Sequence, residues 1–183
     1  MYLYRIKDLT TQIEMDFYRT LSKTVDWYDH DIVHGVVRKG MDVSFYKPST
    51  NYNLTVLDRH HYPATAIAKR YGIKPSYIAM VHSAGNTSVG KHIDNKLRQV
   101  NFSFPIYYGT KKHYREITYY DGDSIVESHK YAWPCLINAK QPHSASNHYN
   151  ILSCMLQIST VQPWDEVVNN LKEKGLIIET SEF

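Results

Sequence analysis

The sequence predicts a mainly β domain, a sandwich or barrel with helices packed at its flanks. Between residues 76 and 160, six segments of strand length are rich in β-branched and aromatic residues and are separated by Gly, Asn, Asp or Pro. These segments are 76–83, 98–108, 115–122, 124–129, 134–139 and 150–160. Tyr is the residue type in excess, with 16 copies, and its ring packs well on a pleated surface. A run of short strands this dense favours a closed or two-layered β fold.

The length and composition of the chain fit one domain. Its 183 residues, 43% of them hydrophobic, are enough to bury one sizeable core. No repeat or low-complexity tract divides the sequence. We therefore expect a single domain over 1–183, in which 1–75 is an extension of helices and strands packed on the core, 76–160 is the β core, and 161–183 contains a C-terminal helix.

A helix is predicted near the N-terminus, behind a Thr cap in the segment TTQIEMDFYRTLSKTVDWY. Ile13, Phe17, Leu21 and Val25 recur every four residues, which places them on one helical face. This apolar face is expected to lie on the core.

Two further helices are predicted from the same kind of pattern. ATAIAKRYG ends at Gly72, a residue suited to stopping a helix. WDEVVNNLKEKG has an apolar face of Val167, Val168 and Leu171 and ends at Gly175.

Composition excludes several classes of partner and location. The net charge of +3 and the pI of about 8.7 are mild, so nucleic acid is not favoured as a partner. No apolar run approaches the roughly 18 residues that a membrane span requires. Cys135 and Cys154 are too few for a disulfide framework, so both are expected to be reduced and the location cytoplasmic. The oligomeric state is left open.

Three residues have the spacing and chemistry of a metal site. His92 and Asp94 are separated by one residue, and on an extended strand such residues point to the same face. His143 follows a predicted strand and a Pro turn and precedes the final long strand. Two imidazoles and one carboxylate form a donor set that suits Fe(II), whereas structural zinc is normally closed by a fourth protein ligand.

Around these residues the sequence resembles the Fe(II)/2-oxoglutarate-dependent oxygenases. The resemblance covers about residues 76–159 and lies in the HxD pair, in Arg98 followed by VNFSFPI, and in LINAKQPHSASN around the distal His. It implies a double-stranded β-helix (jelly roll, cupin-like) core with flanking α-helices. It also implies a hydroxylase in which Fe(II) is held by His92, Asp94 and His143 and in which 2-oxoglutarate and O2 are consumed. The primary substrate would be a small molecule or a protein side chain.

One position departs from the pattern of this family. Many members bind the far carboxylate of 2-oxoglutarate with an Arg or Lys on the last strand, where this chain has Asn150. Burying a dicarboxylate without a cation is costly, so another cation must compensate. Four are candidates, although Lys111, Lys112 and Arg115 individually read as solvated surface charges. The candidates are Arg98, Lys111, Lys112 and Arg115.

Asn150 also favours a second interpretation, a cupin-type metal-binding protein or an inactive jelly roll that binds a ligand without oxidising it.

Alternation along RQVNFSFPIYY separates an apolar row from a polar row. Val100, Phe102, Phe104 and Ile106 share one face, and Asn101, Ser103 and Tyr107 share the other. If the polar row faces the barrel interior, its side chains line the pocket for the cosubstrate; if it faces solvent, it is ordinary surface. Since the Asn of this run lies near the cosubstrate in the resembling family, we expect the first arrangement.

Overall fold

The computed structural model describes residues 1–29, 52–83, 85–106, 115–147 and 153–178. These ranges contain three short helices within a mainly β chain. The helices are α1 (Gln12–Leu21), α2 (Ala64–Tyr71) and α3 (Trp164–Glu173). The strands are β1 (Leu3–Ile6), β2 (Tyr28–Asp29), β3 (Tyr52–Leu57), β4 (Tyr77–Ser83), β5 (Thr87–His92), β6 (Val100–Pro105), β7 (Arg115–Asp121), β8 (Ser124–Tyr131), β9 (Cys135–Asn138), β10 (His143–Asn147), β11 (Ser153–Thr160) and β12 (Ile177–Ile178).

The strands form two antiparallel sheets that face each other. The larger sheet has the order β12-β1-β9-β6-β11-β4-β3-β2, and the smaller sheet has the order β5-β10-β7-β8. From β4 to β11 the chain passes between the two sheets, giving four strands to each. This is the strand arrangement of a jelly roll, so the predicted fold class is confirmed. Strands from the N-terminal segment and β12 extend the larger sheet on both sides.

Both faces of the larger sheet are buried, because helices cover its outer face and the smaller sheet covers its inner face. All six residues of β6 are buried, which explains how one strand holds an apolar row and a polar row. The apolar row packs with the helices, as Tyr71 of α2 lies against Phe102 and Phe104 at centroid distances of 5.4 and 5.6 Å. Each such buried side chain contributes roughly 1.5–3 kcal/mol by leaving water.

Helices α2 and α3 agree with the sequence-based prediction. Gly72 ends α2 with φ +74, and Gly175 follows α3 with φ +63, both in the left-handed region that glycine adopts without strain. Val167, Val168 and Leu171 are buried as expected. None of the helices in the described ranges is long and apolar enough to cross a lipid bilayer.

Helix α1 is present, but the face predicted to be buried is only partly correct, because Leu21 packs against the core and Ile13 and Phe17 do not. Ile13 is 82% exposed and Phe17 is 42% exposed, whereas Met15 and Tyr18 are buried. The two faces are about 100° apart on a helix, so a small difference in rotation selects one of them. Glu14, on the buried side, forms an ion pair with Arg70 of α2, and that contact together with Tyr18 turns the other stripe to solvent.

The start of α1 offers a stability test. The hydroxyl of Thr11 accepts a hydrogen bond from the backbone N–H of Glu14 (3.2 Å), and the Glu14 carboxylate accepts one from the N–H of Thr11 (2.8 Å). Thr11→Ala removes this cap and is expected to lower the free energy of unfolding by about 1 kcal/mol in urea denaturation. Thr20→Ala, at an exposed position of the same helix, is the control and should change it by less than about 0.5 kcal/mol. Equal effects of the two substitutions would contradict the capping role.

Candidate metal centre

Strands β5 and β10 carry the two candidate histidines. They are antiparallel neighbours, and their register places His143 directly opposite His92. Neither strand is among the six predicted from the sequence. TSVGKH and HSASN contain little apolar or aromatic character, so their β structure follows from pairing within the smaller sheet and not from local preference.

Asp94 lies two residues beyond the end of β5 and reaches the site from outside that strand. β5 ends at His92, so the expectation that both side chains leave one strand on the same face is wrong. The backbone N–H of Asp94 donates to the carbonyl of Ala139 (3.1 Å), which connects the residues after β5 to the segment leading into β10. The ammonium of Lys140 donates to the carbonyls of Asp94 (3.3 Å) and Asn95 (3.2 Å), reinforcing the same connection.

The three side chains come together in a group that can hold a metal ion. Their ligand atoms all lie within 4.8 Å of one another. Nε2 of His92 is 3.7 Å from Oδ1 of Asp94, and the two imidazole centroids are 4.5 Å apart. Since metal–ligand bonds of about 2.1 Å place ligand atoms roughly 3–4 Å apart, small side-chain rotations would close the group around a cation.

Backbone carbonyls orient both imidazoles through Nδ1. Nδ1 of His92 lies 2.8 Å from the carbonyl of Gly90, and Nδ1 of His143 lies 2.8 Å from the carbonyl of Gln141. A carbonyl only accepts, so each Nδ1 carries a proton, and Nε2 is the ring atom of each histidine that is left to bind a metal. Burial is the main cause that lowers the pKa of His143, which favours the neutral imidazole further.

Asp94 is buried and is held in its ionised form. Oδ1 lies 3.2 Å from Nη1 of Arg98, and Oδ2 accepts a hydrogen bond from the amide of Asn101 (2.8 Å). Burial acts to raise the pKa of Asp94, but Arg98, His143, Asn101 and His92 together outweigh burial and hold the pKa below its usual value. The site therefore presents an ionised carboxylate beside two imidazoles.

A buried polar network continues from Asp94 along the inner face of the larger sheet. Arg98 donates from Nη2 to Gln157 (2.8 Å), and Ser159 donates to the amide oxygen of Asn101 (2.7 Å). Asn101 and Ser103 thus lie on the interior side of β6, where Ser103 contacts the sulfur of Met155 (3.8 Å). Three other predicted cosubstrate positions, Tyr107, Lys111 and Asn150, lie outside the described residues, as does Lys112.

Arg115 is buried and is not the surface charge that residue type suggested. It is 7% exposed, donates from Nη2 to the Ser83 hydroxyl, and has Nη1 3.0 Å from the sulfur of Met155. It lines a small pocket together with five other residues of the two sheets. Those residues are Ser83, Thr87, Ala145, Ser146 and Asn147.

Sequence reasoning missed Gln157 and misplaced Arg115, although alternation contained a signal for both. Gln157 shares a strand face with Ser159, and Arg115 shares one with buried Ile117 and Tyr119. A polar residue that shares a strand face with buried residues is expected to point into the protein interior.

Comparison with known proteins shows a similarity in fold and not in sequence. No protein-family model matches this sequence, and no curated protein matches it. AviO1 from Streptomyces viridochromogenes Tue57 is similar in structure with a TM-score of 0.54 and 10% identity, covering 89% of this chain and 90% of that chain. Oxalate decarboxylase from Bacillus subtilis is similar with a TM-score of 0.42 and 12% identity. The match covers 61% of this chain and 26% of the oxalate decarboxylase chain, so this chain spans about a quarter of that protein. The likeness to AviO1 supports the jelly-roll fold.

Proposed function

We propose that this protein is an Fe(II)- and 2-oxoglutarate-dependent oxygenase that hydroxylates a substrate still to be identified. One observation carries the proposal: His92, Asp94 and His143 converge on the interior of the jelly roll, and a buried arginine lies further along the same interior. Within the described ranges no fourth His, Cys, Asp or Glu joins the group. Three protein ligands leave coordination positions for other molecules, as a catalytic metal requires and a structural one does not.

The donor set fits iron better than structural zinc. Nitrogen and oxygen donors in a two-histidine, one-carboxylate group are typical of non-haem Fe(II) sites, whereas structural zinc sites are usually closed and rich in thiolates. The two thiols, Cys135 and Cys154, are buried outside the group, and burial raises the pKa of each, that of Cys154 to about 12. Neither thiol is therefore a ready ligand.

Arg115 is the cation we assign to the far carboxylate of 2-oxoglutarate. Its guanidinium lies at the level of Met155 on β11, and Gln157, the next residue on that face, contacts the Arg98 that pairs with Asp94. Of the two described candidates, Arg98 contacts the metal ligand Asp94, whereas Arg115 lines the pocket between the two sheets, and we therefore assign the far carboxylate to Arg115.

With iron bound, the centre would supply the oxidation of 2-oxoglutarate by O2 to succinate and CO2, with transfer of one oxygen atom into a substrate C–H bond. The chain itself does three things. The carbonyls of Gly90 and Gln141 orient the two imidazoles. Arg98 and Asn101 keep Asp94 ionised and fixed, and the burial of these three side chains keeps bulk water from the carboxylate.

The proposal is tested by turnover. Anaerobic addition of Fe(II) and 2-oxoglutarate should produce a visible charge-transfer band, and admission of O2 should then yield succinate and CO2 in equal amounts. A protein that binds metal but forms no succinate would instead be the alternative, a metal-binding jelly roll that does not oxidise its ligand.

Arg115→Gln tests the assignment of the cosubstrate site. Loss of a charge-assisted pair is expected to raise the KM for 2-oxoglutarate at least about 10-fold, while Arg115→Lys should keep part of the affinity. Lys130→Gln, at an exposed position of the neighbouring strand β8, is the control and should leave the KM unchanged. If Arg115→Gln and Lys130→Gln have the same KM, the assignment is wrong.

A further inference from the structure

Gln157 is a buried amide inside the jelly roll with an unused donor group. Its side chain lies on the inner face of β11 and is 8% exposed, and its oxygen accepts a hydrogen bond from Nη2 of Arg98 (2.8 Å). The amide nitrogen Nε2 has no acceptor within the described part of the chain. A buried donor without an acceptor is costly, so a bound molecule that brings an acceptor to it is stabilised.

Arg98 fixes which end of this amide faces the interior. A guanidinium only donates, so the Gln157 atom that faces Arg98 is the oxygen and not the nitrogen. The planar amide then directs Nε2 and its two N–H bonds away from Arg98. Because Gln157 shares the inner face of β11 with Met155 and Ser159, these donors point into the space between the two sheets.

The neighbouring polar side chains of the larger sheet are already engaged. The amide of Asn101 donates to Asp94 (2.8 Å), and its oxygen accepts from the hydroxyl of Ser159 (2.7 Å). Ser103, opposite Gln157 in the register of β6 and β11, has its hydroxyl against a sulfur atom of β11 (3.8 Å). In the described part of this polar row, the Gln157 nitrogen is the amide nitrogen left without any acceptor.

Gln157 lies between the metal group and the arginine assigned to the cosubstrate. Toward the metal group it contacts Arg98, which pairs with Asp94 (3.2 Å). Toward the other end, Met155 is the next residue on the inner face of β11, and its sulfur lies 3.0 Å from Nη1 of Arg115. A molecule that binds both the metal and Arg115 therefore passes beside the Gln157 amide.

We infer that Gln157 is a cosubstrate-binding residue whose amide nitrogen donates a hydrogen bond to an oxygen of the 2-oxo acid group. This group is the end of 2-oxoglutarate that would bind the metal, and Gln157 is connected to the metal group through Arg98 and Asp94. The inference rests on the proposed function, because it assumes that 2-oxoglutarate occupies the interior. It adds a contact to the end that all 2-oxo acids share, in contrast to Arg115, which is assigned to the far carboxylate.

The test compares two 2-oxo acids that differ only in the far carboxylate. The full chain is loaded with Mn(II), which binds such sites without turnover, and is titrated by calorimetry with 2-oxoglutarate and, separately, with 2-oxobutanoate. Gln157→Glu keeps an oxygen toward Arg98 but replaces the donor with a carboxylate oxygen. This variant is expected to bind both acids at least about 10-fold more weakly, because a charge-assisted hydrogen bond is lost.

Two further variants and a control assign the effect. Gln157→Leu removes the donor without adding a charge and should also weaken the binding of both acids. Arg115→Gln should weaken the binding of 2-oxoglutarate and leave that of 2-oxobutanoate unchanged, because only 2-oxoglutarate has the far carboxylate. Gln12→Leu, at an exposed position of α1, is the matched control and should change neither affinity.

The Mn(II) affinity, read from the electron paramagnetic resonance signal before the acids are added, separates a ligand contact from an effect through Arg98. It should not fall in Gln157→Glu, since an oxygen that faces Arg98 remains. Unchanged binding of 2-oxobutanoate in both Gln157 variants, or a loss in Gln157→Glu that is matched by an equal loss of Mn(II) affinity, would overturn the inference. If Gln157→Glu does not fold, Gln157→Leu decides by the same two measurements.

The two proposals fail in different ways. If neither 2-oxoglutarate nor 2-oxobutanoate binds to the unaltered, Mn(II)-loaded protein, the proposed function is rejected, and this inference with it. If both acids bind and the Gln157 variants bind them equally well, only the assignment of Gln157 is rejected.

Discussion

Replacing His143 with Ala is expected to lower the affinity for Mn(II) or Fe(II) at least about 100-fold, because loss of an outer partner alone typically costs about 10–100-fold and here a direct ligand is removed. The remaining group, His92 and Asp94, supplies two donors, and water would have to replace the third. The fraction of free Mn(II), read from its electron paramagnetic resonance signal during titration, gives the affinity directly. Metal-dependent turnover of 2-oxoglutarate should disappear in the same variant.

The control for this experiment is another histidine of the same chain. His60 is exposed and lies outside the metal group, so His60→Ala should bind Mn(II) as the unaltered protein does. Unchanged affinity in His143→Ala would mean that the three side chains do not act together as a metal site.

Arg98→Met is expected to destabilise the metal-free protein by about 3–5 kcal/mol at about pH 7.5, because it leaves the Asp94 carboxylate buried without its cation. Urea denaturation in the presence of a chelator measures this difference without a contribution from bound metal. Lys91→Met breaks an ion pair with Asp123 on the surface, and this control should cost less than about 1 kcal/mol.

The pH dependence of that difference has a defined sign. In the unaltered protein the pKa of Asp94 is lowered, so its contribution to stability is present above the unfolded pKa and is lost as pH falls through the folded pKa. Without Arg98, burial dominates and the folded pKa is expected to rise above the unfolded one, so the folded state then gains stability as pH falls. The deficit of Arg98→Met should therefore shrink between about pH 7.5 and about pH 5.5.

A second substitution separates the ion pair from packing. In Arg98→Met with Asp94→Asn, neither charge remains, and most of the lost stability should return because a neutral buried pair avoids the unpaired carboxylate. If the double variant is as unstable as Arg98→Met alone, the destabilisation comes from packing and not from the charge.

The ligands of the candidate metal site could be proposed from sequence, whereas the strands that carry two of them could not. The HxD spacing, the distal His143 and their flanking residues formed a recognisable pattern. β5 and β10 were missed because neither has the apolar content of a strand, and they are held by pairing with each other and with β7. Local preference is weak where hydrogen bonding to neighbouring strands decides the structure.

Helix α1 likewise has one property that the sequence predicted and one that distant contacts decided. The sequence indicated a capped helix, and the capping box is present. Two faces of this helix carry apolar side chains, and either of them could have packed on the core. The face that is buried contains Glu14, a residue whose burial depends on Arg70, 56 positions away in the sequence. A partner so distant in sequence cannot be inferred from helical periodicity.

The sequence by itself determined the fold class, the alternation of β6, the ends of α2 and α3, and the donor types of the candidate metal site, because these depend on residue type and short-range spacing. The tertiary structure alone decided that Asp94 approaches from beyond the end of β5, that Arg98 pairs with it, and that Arg115 lies between the two sheets. Whether a charged side chain is buried depends on which distant groups surround it, and that energy balance is set only when the two sheets close on each other.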